Sequence, residues 1–482
     1  MSTPVEPRKA AACLIMDADG RLLMVKRSPK LRFMPGHHAF PGGRVSDTES
    51  VERVLKARDA DFARGVMAAA REVFEETGLL LAEGASPEMD ARRRARVDLL
   101  EDKTRFDAIL AAFGMQIDAE RFEEVAHWIT PPPMPIRFDT RYYLFRHEGG
   151  DEPELIEGEL VGLDWIHPRD ARRRWQLGEI HVSTPVACTL QPMAVRPYPD
   201  LVPLLRRITE STPGHPNRFE LRRGIHVIPQ ATKTIPPATH TNCVLMGEDE
   251  ILLIDPGSDL PEELESLQDQ VDQLVEMGGK VTAIVLTHAH PDHVAGVEHV
   301  RARYGAPVWA HEGTASRVSF SIERKLADNE VIELPGDPGW RVQVLYTPGH
   351  DPGHIALYEE STRTLLAADM IANPGTIVVS EEYGGNMDAF LASLDRLRGI
   401  ENVSVILPSH GRPMGRAEDP FGKAREHRLW RENKIREAYE AGAKDFPSLL
   451  AASYDDAPPE AMRLAEHSLR AHLTRLGLSL AQ

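Results

Sequence analysis

Cysteine is nearly absent: Cys13, Cys188 and Cys243 are the only three in 482 residues. Their odd number and wide spacing exclude a disulfide framework and fit a reducing cytoplasm, with each thiol read as a small buried hydrophobe. Long apolar runs are lacking as well. No stretch of about 18 such residues occurs, so no transmembrane helix is expected. The opening "MSTPVEPRKA" has no apolar core of a signal peptide. Low-complexity segments and short-period repeats are missing too. What is present is a hydrophobic content of 42%, which excludes global disorder, and a length that suits about three domains.

Positive charge is the other shortage. Lys and Arg number 56 against 74 Asp and Glu, a net charge of −18, and the imbalance is local. Residues 1–215 carry 30 basic and 34 acidic side chains, residues 216–420 carry 16 and 31, and residues 421–482 carry 10 and 9. The middle segment alone holds −15. Affinity for nucleic acid rests on counterions released around Lys and Arg, so an acidic segment makes a poor polyanion partner. That places nucleic acid low among the expected partners without removing it.

Punctuation along the chain divides it in the same places. "AACLIMDADGRLLMVKRS" sets two apolar runs around Asp19-Gly20, a hairpin signal. The loop "PGHHAFPGG" precedes a long helical stretch that ends near Gly78, a residue suited to a helix C-cap. Residues 86–126 look helical and charged, "RYYLFR" and "LVGLDWI" look like strands, and a helix is expected at 168–177. The stretch "PYPDLVPLLRRITESTPGHPNRFE" is Pro-rich at both ends and marks a boundary near 215. Beyond it come a strand–turn–strand in "TNCVLMGEDEILLIDPG", a helix at 261–277 and the β-branched strand "VTAIVLT". Further strands are expected at "APVWAH", "RVQVLYT", "IALYEE", "TLLAAD" and "VSVILPS", and from about 421 the pattern turns helical.

"REVFEETG" at 71–78 raises a question of its own. Glu72, Glu75 and Glu76 share one helix face, where each like-charged pair costs a few tenths of a kcal/mol. A solvated face tolerates that cost; a divalent cation held by hard oxygen ligands removes it. With the preceding "FPGG", the segment resembles the Nudix box, G-x5-E-x7-R-E-x2-E-E-x-G. Gly43 and Glu49 match its first part, and Arg71, Glu72, Glu75, Glu76 and Gly78 its second. The spacing departs from the box: Glu49 to Arg71 is 22 residues where the pattern has 8, an insertion of 14. One Nudix branch, resembling peroxisomal coenzyme A diphosphatases, carries such an insertion after a signature read here in "RSPKLRFMPGHHAFPGG". The "WITP" at 128–131 and "RFDTRYY" at 137–143 resemble that branch too, and the likeness covers about residues 8–200.

The resemblance implies an α/β/α sandwich that cleaves a nucleoside diphosphate linked to another group, with coenzyme A or its thioesters in front. Glu72, Glu75 and Glu76 would hold Mg²⁺ or Mn²⁺, Arg71 would orient them, and Arg32, Gly42 and Gly43 would contact substrate. Glu159 is a candidate extra base.

"THAHPDH" at 287–293 places His288, His290, Asp292 and His293 in one loop after an apolar strand, where packing asks for none of them. His350 in "TPGHDPGH", Asp369 in "LLAADM" and His410 in "LPSHG" each follow a strand and sit in a loop, as convergent ligands should. The ordered set, with "LIDPG" at 253–257, resembles the metallo-β-lactamase superfamily. It implies an αββα sandwich with two zinc ions: His288, His290 and His350 on one, Asp292, His293 and His410 on the other, and Asp369 bridging. Two such ions would lower the pKa of a shared water toward about 7, and Asp292 is carried over as catalytic as well. Imidazole and carboxylate leave iron and manganese open as alternatives. His311 and His354 are read as non-ligands, with His354 a candidate substrate contact.

The tail "YDDAPPEAMRLAEHSLRAHLTRLG" resembles the winged-helix appendix of the β-lactamase-like protein 2 group, some of whose members cleave RNA. With no excess of positive charge it is expected to pack on its neighbour instead. The expected organisation is α/β and α+β multidomain: a Nudix domain at 1–215, a metallo-β-lactamase domain at 216–420 and a winged helix at 421–482. The expected function is a cytoplasmic, bifunctional metal-dependent hydrolase for a nucleoside diphosphate conjugate and an ester or thioester. The alternative is a zinc-dependent ribonuclease with the Nudix domain as its nucleotide-binding regulator.

Overall fold

The strand Arg8–Met16 organises the first part of the chain because its apolar residues alternate between two faces. Ala11, Cys13 and Ile15 enter one core, with Val66, Met67, Val73 and Phe74 of the helix Ala60–Thr77. Ala12, Leu14 and Met16 enter the other, with Leu190, Met193 and Leu205 from the helices Thr184–Val195 and Leu201–Thr209. A sheet covered on both sides reads as a continuous apolar run, as "AACLIM" does. In a computed structural model of the protein, residues 6–31, 34–46, 50–130, 136–156, 158–209, 218–458 and 461–480 are described. Arg32, Glu49 and Pro131, on which parts of the Nudix resemblance rest, lie outside them.

Arg8–Met16 runs parallel to Phe138–Arg146, which pairs antiparallel with Phe122–Ile129. On the other side Met16 pairs with Leu22 at the start of Leu22–Arg27, which pairs with Leu160–Ile166 and His38–Ala39. The expected hairpin is there, and Asp17 shapes it: its carboxylate accepts the backbone N–H groups of Asp19 and Arg21 at 3.0 and 2.8 Å. Gly20 supplies the left-handed φ of 77°. The expected helix over 86–126 is corrected. Helices occupy Met89–Glu101 and Phe106–Ala112, and Phe122–Ile129 is a strand. Glu123 and Glu124 make the segment look solvated, but its partner strand supplies the backbone hydrogen bonds that decide the matter.

Contacts divide the chain into two compact units, Met1–Gly214 and His215–Gln482. The second unit stacks two sheets. One runs, in order, Phe219–Arg222, Ile225–Ala231, His240–Gly247, Glu250–Ile254, Lys280–Leu286, Val308–His311 and Arg324–Leu326. The other runs Val331–Leu334, Trp340–Tyr346, Ile355–Glu359, Thr364–Asn373, Val405–Gly411 and Met414–Gly415. Val244, Ile254, Val285, Trp340, Val344 and Leu407 pack between them. Helices Pro261–Glu276 and Val297–Tyr304 cover the outside of the first sheet, and Met387–Arg398 and Pro420–Glu440 that of the second. The result is an αββα sandwich.

The tail belongs to this second unit and has a small core of its own, with Ile435, Leu449, Leu469 and Leu473. Its described residues form the helices Pro420–Glu440, Phe446–Ser453 and Met462–Leu476 and contain no strand, so the expected wing is not found among them. Among the described residues no helix is long and apolar enough to cross a membrane.

Two substitutions in the first unit separate packing from capping. Leu14, fully buried, should cost about 2–5 kcal/mol as Leu14→Ala. Asp59, which caps Ala60–Thr77 by accepting the Phe62 N–H at 2.7 Å, should cost about 1 kcal/mol as Asp59→Ala. Denaturant unfolding of the two variants checks both the order and the size.

Candidate metal centres

In the first unit, Ala60–Thr77 buries the face that carries its charges: Arg71, Glu72 and Glu75 are each less than a tenth exposed. The helix ends as expected at Gly78, whose φ of 75° lets its N–H return to the Phe74 carbonyl at 2.9 Å. Arg71 donates to Glu72 Oε1 at 2.7 Å and Glu75 Oε2 at 3.3 Å, and its other nitrogen donates to the Arg44 carbonyl at 2.9 Å. Arg71 therefore ties the acidic face to the end of the glycine loop, as an orienting residue should. Lys103 pairs with Glu75 Oε1 at 2.5 Å, a contact that no sequence pattern marks.

The loop lies directly against this face. The Gly42 N–H donates to Glu76 Oε2 at 3.1 Å, and a Cβ on Gly43 would fall 2.4 Å from the Glu72 carboxylate. A side chain at Gly43 would displace that carboxylate, and one at Gly42 would strike the Ala11 carbonyl at 2.5 Å. Burial pushes the Glu76 carboxyl up to about 8, with the Glu72 charge adding and the Gly42 N–H opposing. Burial and Glu72 raise Glu75 too, against Lys103. Glu75 and Glu76, raised by burial and by the Glu72 charge, belong to a donor set that a hard divalent cation would stabilise. Glu159 is exposed, and its carbonyl accepts the Ser28 N–H.

In the second unit, seven side chains predicted as ligands converge in two groups. His288, His290, His350 and Asp369 present ligand atoms within 4.8 Å of one another, as do Asp292, His293 and His410. "THAHPDH" achieves this by leaving the Lys280–Leu286 strand at Leu286 and entering the short helix Pro291–Val294, which begins just after His290. His290 Nδ1 lies 3.0 Å from His288 Nε2 and 2.9 Å from His350 Nε2. Asp369 sits between the groups. Its Oδ2 is 3.9 Å from His288, 3.4 Å from His350 and 3.4 Å from His410, and its Oδ1 is 3.7 Å from His293. Asp292 completes the second group, 3.9 Å from His293 Nε2 and 3.6 Å from His410 Nε2.

These separations pass a simple test of fit. Two ligand atoms bonded to one zinc ion at about 2.0–2.1 Å cannot lie more than about 4.2 Å apart, and every quoted pair meets that limit. His293 Nε2 and Asp369 Oδ1 are buried without a hydrogen-bond partner, and a metal ion would satisfy both. Burial and neighbouring rings hold His288 and His350 well below the usual imidazole range, hence neutral and able to ligate. Burial also acts on His293, but Asp369, Asp292 and Asp255 overcome it and raise the ring.

The opposite ring nitrogens are already engaged, which fixes the tautomers. His350 Nδ1 donates to the Val378 carbonyl at 2.8 Å, His410 Nδ1 to the His240 carbonyl at 3.0 Å, and His293 Nδ1 to Asp255 at 2.9 Å. Asp255, of the "LIDPG" segment, also accepts the Thr287 hydroxyl at 2.5 Å and backbone N–H at 2.8 Å. The sequence marked Asp255 as part of a signature but did not show this task.

His354 corrects an expectation. It is fully buried, with Nδ1 donating to Thr347 at 2.8 Å and Nε2 accepting the Asp369 backbone N–H at 3.1 Å. Burial lowers its pKa to about 3. It holds the Asp369 backbone and, being fully buried, offers no exposed surface to a substrate. His311 stacks on Tyr346 at 4.2 Å and stands outside both groups.

Comparison with known proteins agrees with both halves. Residues 236–410 match the metallo-β-lactamase superfamily, and residues 6–56 match the NUDIX domain. The second match stops before Ala60–Thr77, the helix carrying the glutamates. A hydroxyacylglutathione hydrolase of Acidiphilium cryptum is 29% identical, over 38% of this chain and 72% of that protein. A "Beta-lactamase-like protein 2 homolog" of Caenorhabditis elegans is 26% identical, over 40% and 64%. For the other half, "Putative nudix hydrolase 7" of Caenorhabditis elegans is 31% identical over 34% of this chain, which spans about half (52%) of that relative. The chain thus joins an N-terminal Nudix domain to a C-terminal metallo-β-lactamase domain, both of them hydrolase families.

Proposed function

We propose that the chain is a bifunctional metal-dependent hydrolase. Its second unit hydrolyses an ester or thioester at a dinuclear zinc site, and its first unit cleaves a nucleoside diphosphate conjugate such as coenzyme A or an acyl thioester of it. The observation that carries the reading is Asp369, one buried carboxylate within 3.4–3.9 Å of four imidazoles drawn from both ligand groups. His288, His290 and His350 would hold one ion, Asp292, His293 and His410 the other. Bound there, the ions would supply Lewis acidity and an activated water. The protein's own contribution is orientation: Asp255, the Val378 carbonyl and the His240 carbonyl hold three of the rings, and His354 holds Asp369. Asp292 is 15% exposed, more open than Asp369 at 7%.

A thioester is supported by the hydroxyacylglutathione hydrolase relative and by the local charge of −15, which repels a polyanion. In the first unit, Glu72, Glu75 and Glu76 with Arg71 and the Gly42–Gly43 loop are complete, which a purely regulatory nucleotide sensor would not need. The competing reading is a zinc-dependent ribonuclease regulated by its Nudix domain. It draws support from the β-lactamase-like protein 2 relative and from the tail's resemblance to that group.

Three outcomes are expected. Elemental analysis should find close to two transition-metal ions per chain, and His290→Ala should lose metal and hydrolysis together; well-folded protein holding no zinc, iron or manganese would remove the dinuclear site. At physiological salt, acyl thioesters should be turned over in preference to single-stranded RNA. RNA cleavage lost in Asp292→Ala, with no thioester turnover, would establish the ribonuclease instead. Glu76→Gln should abolish Mg²⁺-dependent pyrophosphatase activity and leave thioester hydrolysis unchanged, and loss of both without unfolding would contradict two separate sites.

A further inference from the structure

The segment 374–386 links the strand that bears Asp369 to the helix Met387–Arg398, and the tail grips it from behind. Arg428, on Pro420–Glu440 and only 4% exposed, donates from one nitrogen to the Thr376 hydroxyl at 2.8 Å and to the Ile377 carbonyl. The next residue along is Val378, whose carbonyl accepts the His350 Nδ1 proton at 2.8 Å. Two residues further, Ser380 Oγ lies 3.0 Å from His467 Nδ1 on Met462–Leu476. Arg475 of the same helix pairs with Asp388, just beyond the segment.

The cost of Arg428 is what makes this arrangement informative. No carboxylate pairs with it among the described residues, its Nε has no partner, and burial lowers its pKa to about 10. A buried guanidinium without a counterion is expensive, and an apolar side chain of similar size would pack the same space at less cost. Arg428 spends its donors on two adjacent groups of one segment. Both bonds leave from the same terminal nitrogen, whose two N–H groups lie in the guanidinium plane at a fixed angle and so hold a hydroxyl and a carbonyl together.

We propose that the tail is a positioning element of the metal centre, in which Arg428 fixes the Thr376–Ile377 backbone, Ile377 sets the Val378 carbonyl, and that carbonyl aims His350 Nε2 at its ion. The proposal rests on His350 being a ligand. It assigns the tail a task within its own unit, distinct from nucleic-acid binding and from bulk packing. His467 holds the same segment further along, Arg475 holds the start of the helix that follows it, and both act with Arg428.

The test is metal affinity, read apart from activity. Full-length protein is titrated with Zn²⁺ against a chromophoric chelator, and with Co²⁺ by visible absorption. Arg428→Lys keeps the charge, but its ammonium ends short of the terminal nitrogen position that bonds both Thr376 and Ile377. It should weaken one of the two ions about 10–100-fold, the range for losing an outer-shell partner, and leave the other unchanged. His350→Gln should weaken that same ion, and only the absorption of that site should change in Arg428→Lys. If Arg428→Lys fails to fold, His467→Ala, which keeps the buried Arg428, should show the same selective loss at smaller size. Unchanged affinity for both ions in folded Arg428→Lys and His467→Ala, or equal weakening of both, would overturn the proposal. If His350→Gln left both ions in place, the ligand assignment itself would be wrong, whatever the tail variants did.

Discussion

The Asp369 carboxylate is the constraint on which the second unit depends. Burial alone would drive it to take up a proton, yet His410 and His293 hold it well below the usual carboxylate range. The chain bends to deliver it. Ala368 adopts a left-handed φ of 46°, uncommon for a residue with a Cβ, and the pairing of Thr364–Asn373 with Val405–Gly411 shifts register on either side of it. Strain at a residue next to a ligand is the kind that function maintains. Around that point the neighbouring loops have little freedom: His354 takes the Asp369 N–H, Asp255 takes His293, and Thr287 binds Asp255.

The two centres solve opposite electrostatic problems. The first unit gathers like charges on one helix and balances them with Arg71 and Lys103, leaving oxygen donors suited to a hard, hydrated cation. The second gathers imidazole rings around two carboxylates, a softer set that favours transition metals. The two donor sets therefore differ in chemical character, oxygen alone in one and mainly imidazole in the other.

Much of this was legible from residue order. Four of the seven candidate ligands in the second unit lie within six positions of each other, and His350 follows its strand as expected, but Asp369 and His410 lie inside the strands Thr364–Asn373 and Val405–Gly411 and not in loops after them, because strand pairing continues past both. The acidic helix announced itself through "FPGG" and "REVFEETG". What escaped was whatever depends on backbone carbonyls or on distant partners. No sequence pattern marks Val378 or His240 as acceptors for imidazole protons, because any residue can offer a carbonyl. Lys103 lay in a charged stretch where one lysine looks like another. Phe122–Ile129 was misread because Glu123 and Glu124 suggested a solvated helix, when pairing with Phe138–Arg146 decided its conformation.

The Arg8–Met16 strand, apolar on both faces, has a consequence for how its alignment is set. In a sheet with one wet face, sliding by one residue is punished at once by burying polar groups and exposing apolar ones. Here the sequence from Ala10 to Met16 would lose little polarity match by such a slide, since both sides are equally oily. Alignment must come from shape and from main-chain partners. Phe138–Arg146 matches it residue for residue over its whole length, and the crossing segment Gly42–Arg44 meets Ala10, Ala11 and Ala12, where only small side chains leave room. Point changes among these apolar positions are therefore tolerable if volume is kept, whereas a single insertion would swap the contents of two interiors while preserving every hydrophobic residue.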